Sequence, residues 1–140
     1  MKTIAQQLNI KDFPFQIKNK DCNEIYYEDC TGYWTKREYD SDGNKTYFED
    51  SNGYWTKRKY DSDGNEIYLE NSNGFWCKRE YDSYGNEVYY EDSNKYWYKY
   101  EYDLEGNEIY FEDSTGVIED NRPKDDVITL NGIKYKRVEE

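Results

Sequence analysis

A 140-residue chain with 35% hydrophobic and 36% charged residues lies close to the composition of disordered segments. Its 19% aromatic content, with 18 Tyr and 4 Trp, points instead to a folded but thinly cored protein. Thirty-one acids against 19 bases leave a net charge of −12, which disfavours nucleic acid and anionic membranes and favours basic surfaces.

The N-terminal stretch TIAQQLN, residues 3–9, predicts one or two helical turns ahead of Asp12-Phe13-Pro14. It lacks the apolar core of a secretion signal, and no segment is long enough to span a bilayer, so a soluble, cytoplasmic protein is expected. Cys22, Cys30 and Cys77 are odd in number and have no C-x-x-C spacing, which argues against a disulfide framework or zinc site. Phe13 to Lys18 predicts a half-repeat strand, with Lys20-Asp21-Cys22-Asn23 in the place of a later S-D-G-N turn.

From residue 23 a 21-residue period governs the chain. Trp34, Trp55, Trp76 and Trp97 obey it, as do Tyr26, Tyr47, Tyr68, Tyr89 and Tyr110, and Asn23 through Asn107. A fixed period of this length marks stacked supersecondary units. Each unit holds two strand-like runs, such as KTYFED and YWTKRKY, between Ser51-Asn52-Gly53 and Ser62-Asp63-Gly64 turns. An odd period is read as requiring one turn with an even loop and one with an odd loop. Asn52-Gly53 suits a two-residue type I′ turn, or a four-residue loop from Ser51 to Tyr54 with the same pairing; Ser62-Asp63-Gly64 suits a three-residue loop with a G1 bulge at Gly64. These turns would set Phe48 opposite Lys57 and Lys57 opposite Leu69. Tyr47, Arg58 and Tyr68 would then form one cross-strand ladder. Lys95 replaces a turn glycine, which predicts a distorted fourth hairpin.

The expected fold is all-β: an antiparallel meander of hairpins, single-layered or shallowly curled, with an N-terminal helical cap and a C-terminal hairpin. Residues 1–22 form the cap and half-repeat strand, and 23–116 the five repeats, the last partial. Residues 117–140 form a linker and the hairpin Val127–Leu130 with Ile133–Val138, turning at Asn131-Gly132.

Little in the chain supports catalysis. It has no histidine, and Cys77 stands where other repeats have Thr35 or Thr56. No phosphate-binding glycine loop is present. Asp61-Ser62-Asp63-Gly64-Asn65 resembles part of a calcium loop, but the twelfth position is Ser72 and turn chemistry explains it better. A non-enzymatic protein with no cofactor is expected.

Acids crowd beside the turns while Lys-Arg pairs hold the strand centres. Residues 44–64 carry four acids and four bases. Residues 86–106 carry six and two, and 107–122 five and one, so 86–122 nets −8. This C-terminal half offers the candidate partner contacts: Glu91, Asp92, Glu101, Asp103, Glu105, Glu112 and Asp113, with Tyr96, Trp97 and Tyr98 as anchors, aromatics being enriched at binding hot spots.

The phrase EYDSDGN…YFEDSNGYW resembles the YD-type hairpin repeats of RHS proteins. It resembles still more the short repeat proteins encoded by phages, which also carry a strand–Asn-Gly–strand tail like VITLNGIKYKRV. The resemblance covers residues 23–116 and, more loosely, the tail. It implies a β-hairpin array and names no activity. RHS shells are far longer and enclose a toxin, which a chain of this length is not expected to do. The function expected is an acidic, phage-encoded protein-binding inhibitor of a basic host protein that handles nucleic acid, of anti-CRISPR or anti-restriction type, acting as a nucleic-acid mimic. The alternative is a structural or glycan- or choline-binding repeat module. A third expectation is self-association through sheet edges.

Overall fold

The structure is a computed structural model and describes residues 2–123, 127–130 and 133–136. One short helix, α1 (Ile4–Gln7), precedes the strands β1 (Phe15–Lys18), β2 (Glu24–Glu28), β3 (Trp34–Tyr39), β4 (Lys45–Asp50), β5 (Trp55–Tyr60) and β6 (Glu66–Asn71). They continue as β7 (Trp76–Tyr81), β8 (Glu87–Asp92), β9 (Trp97–Tyr102), β10 (Glu108–Asp113) and β11 (Ile118–Asp120). These eleven strands form one antiparallel meander in chain order, open at both ends. β12 (Val127–Leu130) and β13 (Ile133–Lys136) pair separately. The expected turn at Asn131-Gly132, and Val138, lie outside the described residues.

The core is as thin as the composition implies. Among the described residues Ala5, Tyr26 and Cys77 are the buried apolar ones, and Glu28, Thr35, Thr56, Asp92 and Asp113 are buried as well. A single sheet this lean is held by cross-strand pairs, each contributing roughly 0.2–1 kcal/mol, and by its hydrogen-bonded ladder.

The register differs by one residue from the sequence expectation. Lys57 faces Tyr47 and Glu70, while Phe48 faces Thr56 and Arg58 faces Leu69. Both turns have the same three-residue form. Gly53 N donates to Asp50 O at 3.0 Å and Asp50 N to Tyr54 O at 2.9 Å, just as Gly64 N donates to Asp61 O and Asp61 N to Asn65 O. Gly53 and Gly64 are left-handed, at φ 82° and 86°, whereas Asn52 is not, so Asn52-Gly53 is not a type I′ turn. The turn-opening aspartate decides this. Asp50 Oδ1 accepts from Asn52 N at 2.8 Å and Tyr54 N at 3.2 Å, fixing a type I turn closed by a G1 bulge.

The odd period is absorbed in the strand instead. Lys59 pairs with Tyr68 but Tyr60 pairs with Glu66, leaving Ile67 as a bulge residue, and the same shift recurs at Glu38/Tyr39 and Glu80/Tyr81. The fourth hairpin is not distorted: Lys95 takes φ 67° and donates to Asp92 O at 3.0 Å as the glycines do.

Candidate functional site

The register creates two chemically distinct faces. One carries the tryptophans, and on it each repeat builds the same step. The tyrosine hydroxyl donates to the glutamate two residues on: Tyr26 to Glu28 at 2.7 Å, Tyr68 to Glu70 at 3.0 Å, Tyr110 to Glu112 at 3.0 Å, with Tyr47–Glu49 and Tyr89–Glu91 alike. Lys36, Lys57, Lys78 and Lys99 lie over the rings of Trp34, Trp55, Trp76 and Trp97 at 4.8–5.3 Å. Such exposed contacts are worth roughly 0.5–1 kcal/mol each.

At the first repeat α1 covers this step. Thr3 Oγ1 donates to Glu28 Oε1 at 2.6 Å and Ala5 N to Oε2 at 3.2 Å, leaving Glu28 2% exposed and Tyr26 3% exposed. Burial alone would raise the Glu28 carboxyl, but the hydrogen bonds from Thr3, Tyr26 and Ala5 hold it below its ordinary value. Burial, then the bond to Glu28, pushes Tyr26 up to about 12. Among the described residues no helix covers the later steps. Open hollows of about 420, 660 and 580 Å³ lie beside Tyr47–Tyr68, Tyr68–Tyr89 and Tyr89–Tyr110.

The opposite face carries Arg37, Arg58 and Arg79. Arg58 Nε pairs with Glu66 Oε2 at 2.9 Å, Arg79 Nη1 with Glu66 Oε1 at 2.7 Å, and Arg79 Nε with Glu87 Oε2 at 3.3 Å. Arg37 Nη1 pairs with Glu24, and Tyr98 OH donates to Glu87. Arg37 and Arg79 lie over Phe48 and Tyr90, 5.7 and 5.5 Å from the ring centroids. The expected Tyr47–Arg58–Tyr68 ladder is absent, because the one-residue shift puts those tyrosines on the tryptophan face. Tyr90 stacks on Tyr98 at 5.0 Å, and burial takes its hydroxyl up to about 12. Cys77 is 1% exposed and burial raises its thiol, so it behaves as the packed threonine substitute expected.

The candidate contact residues divide between these surfaces. Glu91, Trp97, Glu101 and Glu112 share the tryptophan face, by the pairs Glu91–Trp97, Lys99–Glu112 and Glu101–Tyr110. Tyr96 and Tyr98 pack on the arginine face against Tyr90. Asp92 and Asp113 are each 8% exposed and open turns, accepting from Asn94 N and Tyr96 N, and from Thr115 N and Val117 N. Asp103 opens a turn at the opposite edge, with Glu105 inside it. Hydrogen bonds from the Asn65, Asn86 and Asn107 side chains head the causes that hold Asp61, Asp82 and Asp103 below the usual carboxylate range. Many of the acids are therefore turn locks as well as charges.

Three groups escaped the sequence reading. Tyr84 and Leu104, 75% and 87% exposed, project from adjacent turns along the edge that holds Glu105. Arg122 grips Asp120 at 2.8 Å and Glu101 at 3.2 Å and lies 4.2 Å from the Tyr110 ring. The turn locations of Tyr84 and Leu104 were readable from the period; the reach of Arg122 was not.

No family model matches the chain, and no curated protein does. Solved structures do. The crystal structure of TcdB2-TccC3-Cdc42 matches with TM-score 0.56 at 16% identity over 71% of this chain and 5% of that one. TcdB2-TccC3-TEV matches with TM-score 0.57 at 14% identity over 81% and 6%. The Photorhabdus luminescens Tc holotoxin pore with mutation TccC3-D651A gives 0.55, also at 14% over 81% and 6%. The likeness is one of fold. It agrees with the β-hairpin array expected from the sequence, and the chain spans about a twentieth of each of those chains.

Proposed function

We propose that this protein is a non-enzymatic binding module that presents the C-terminal half of its tryptophan face to a protein partner. The observation that carries this reading is the repeated Tyr-x-Glu step. α1 seals it at Tyr26–Glu28, and among the described residues it recurs without a helix over it at Tyr47–Glu49, Tyr68–Glu70, Tyr89–Glu91 and Tyr110–Glu112. Aromatic rings with adjacent carboxylates suit a basic protein surface. Leu104 and Tyr84 supply apolar tips along the neighbouring edge.

In its sharpest form the partner is a basic host protein that handles nucleic acid, inhibited by a phage-encoded mimic in the manner of anti-CRISPR or anti-restriction proteins. The net charge of −12 supports this. So does the spacing of turn carboxylates, which repeat every two strands, roughly 9.6 Å. Capture from host lysate with a rising salt series tests it. A nucleic-acid-handling protein released by salt and displaced by DNA is expected. A blank, or a partner indifferent to salt, overturns mimicry. Reversing Glu91, Glu101 and Glu112 together should abolish capture without unfolding the sheet. Asp92 and Asp113 do not belong in that test, since their reversal would break turns.

A second reading, a glycan- or choline-binding module, draws on the hollows beside Tyr47, Tyr68 and Tyr89. A saturable change in tryptophan fluorescence on titrating choline or oligosaccharides would favour it over protein binding.

A further inference from the structure

On the arginine face, ion pairs form at two fixed sequence offsets, and Arg79 makes both. Nη1 takes the glutamate 13 residues back, as in Arg37–Glu24 and Arg79–Glu66. Nε takes the glutamate eight residues on, as in Arg58–Glu66 and Arg79–Glu87. Glu66 therefore bridges Arg58 and Arg79. The equivalent bridge between Arg37 and Arg58 falls on residue 45, and residue 45 is lysine where the other repeats have Glu24, Glu66, Glu87 and Glu108.

The consequences are visible in the hydrogen bonds. Arg58 Nη1, denied a carboxylate, donates to Thr56 Oγ1 at 2.9 Å. Thr35, the matching residue one repeat earlier, keeps an unpartnered hydroxyl, because there Arg37 Nη1 has its glutamate. Arg37 and Lys45 both stand 5.7 Å from the centroid of the Phe48 ring. Phe48 faces Thr56, on which the Arg58 head rests. Three cations thus converge on a position where the repeat elsewhere puts a carboxylate. Burial, and then Arg58 and Arg37, push the Lys45 ammonium below its ordinary value. The Arg37 and Arg58 side chains are 23% and 22% exposed, so a ligand can reach them while water screens them poorly.

We propose that Arg37, Lys45 and Arg58, over the Phe48 ring, form a receptor for a carboxylate supplied from outside the chain. That carboxylate takes the place of the missing glutamate head, accepting from Arg37 Nε, Arg58 Nη1 and Lys45 Nζ. Glu24 and Glu66 flank the site but are already held by Arg37 and by Arg58 and Arg79. The ligand is either a small free carboxylate or the side chain of an acidic residue on a partner. This site is independent of the tryptophan-face reading and lies on the other side of the sheet.

The test follows the arginine Nε–Hε signals by NMR while titrating acetate, and separately N-acetylglutamate amide, with chloride holding ionic strength constant. Saturable shifts confined to Arg37 and Arg58 are expected, with Arg79 unmoved. A stronger response to the glutamate derivative assigns the source to a partner side chain, and an equal response to a free carboxylate. Lys45→Glu restores the residue found at the four equivalent positions, so it will fold; it should abolish the shifts. Lys45→Ala should weaken binding several-fold while keeping both arginines. Signals that stay still, or that move equally in Lys45→Glu, overturn the proposal.

Discussion

At the scale of single residues, the turn-opening aspartate and the left-handed residue three places on do most to shape each hairpin. Lys95 and Cys22 hold φ near 65° without the freedom of glycine, at a cost of roughly 1 kcal/mol each. Lys95→Gly should therefore raise stability by about 1 kcal/mol, read as a higher urea midpoint with an unchanged slope. Two raised tyrosine hydroxyls make a second prediction. Tyr26 and Tyr90 have folded pKa values raised to about 12, above the usual value of about 10. Their contribution to stability is fully present below pH 10 and is lost as pH rises towards 12. Tyrosinate absorbance should show these two ionising late, together with unfolding. The carboxylates act in the opposite sense. Glu28, Asp61, Asp82 and Asp103 have lowered pKa values, so their contribution is present above the usual carboxylate value of about 4 and fades as pH falls below it. Acid unfolding that set in well above pH 5 would contradict this assignment.

At the scale of elements, α1 is a lid on one step of the sheet. Four helical residues cannot be stable alone. Their capping box, with Thr3 Oγ1 accepting from Gln6 N and Thr3 N donating to Gln6 Oε1, leaves the Thr3 hydroxyl proton free for Glu28. Glu28→Leu removes the anchor for Thr3, Tyr26 and Ala5, and should release the helix at a cost of about 2–4 kcal/mol. Amide exchange at Ala5 and Gln6 would then become fast while β4 to β10 keep their protection. Loss of protection across the whole sheet would show that α1 nucleates the array. The stretch TIAQQLN, residues 3–9, announces this helix in the sequence. The sequence does not show its seat, because Glu28 is 25 residues from Thr3 and carries the same repeat signature as Glu49 and Glu70.

At the scale of the molecule, the array is nearly one-dimensional, with strand order identical to chain order. Stability should then behave as a sum over units and their interfaces. Excising residues 45–65, one full period, should leave a folded protein with a lower melting temperature, seen as a cooperative circular-dichroism transition. Excising ten or eleven residues should not, because a strand would then lack its turn and its face would invert. The open edges at β1 and β11 also bear on self-association, which sedimentation over a range of concentrations would report.

Hairpins, period, chain-order topology and thin core were legible in the residues, because each depends on contacts within about one repeat. The faces were not. An odd period can be absorbed either by a turn or by a bulge, and one residue of difference exchanges every side chain between faces. Choosing the bulge at Ile67 took the geometry of the Asp50 and Asp61 turns together. From that choice follow the split of Glu91 from Tyr98, the seat of α1, and the three cations around Lys45. Sequence alone determined what repeats; the tertiary register decided which repeated groups meet.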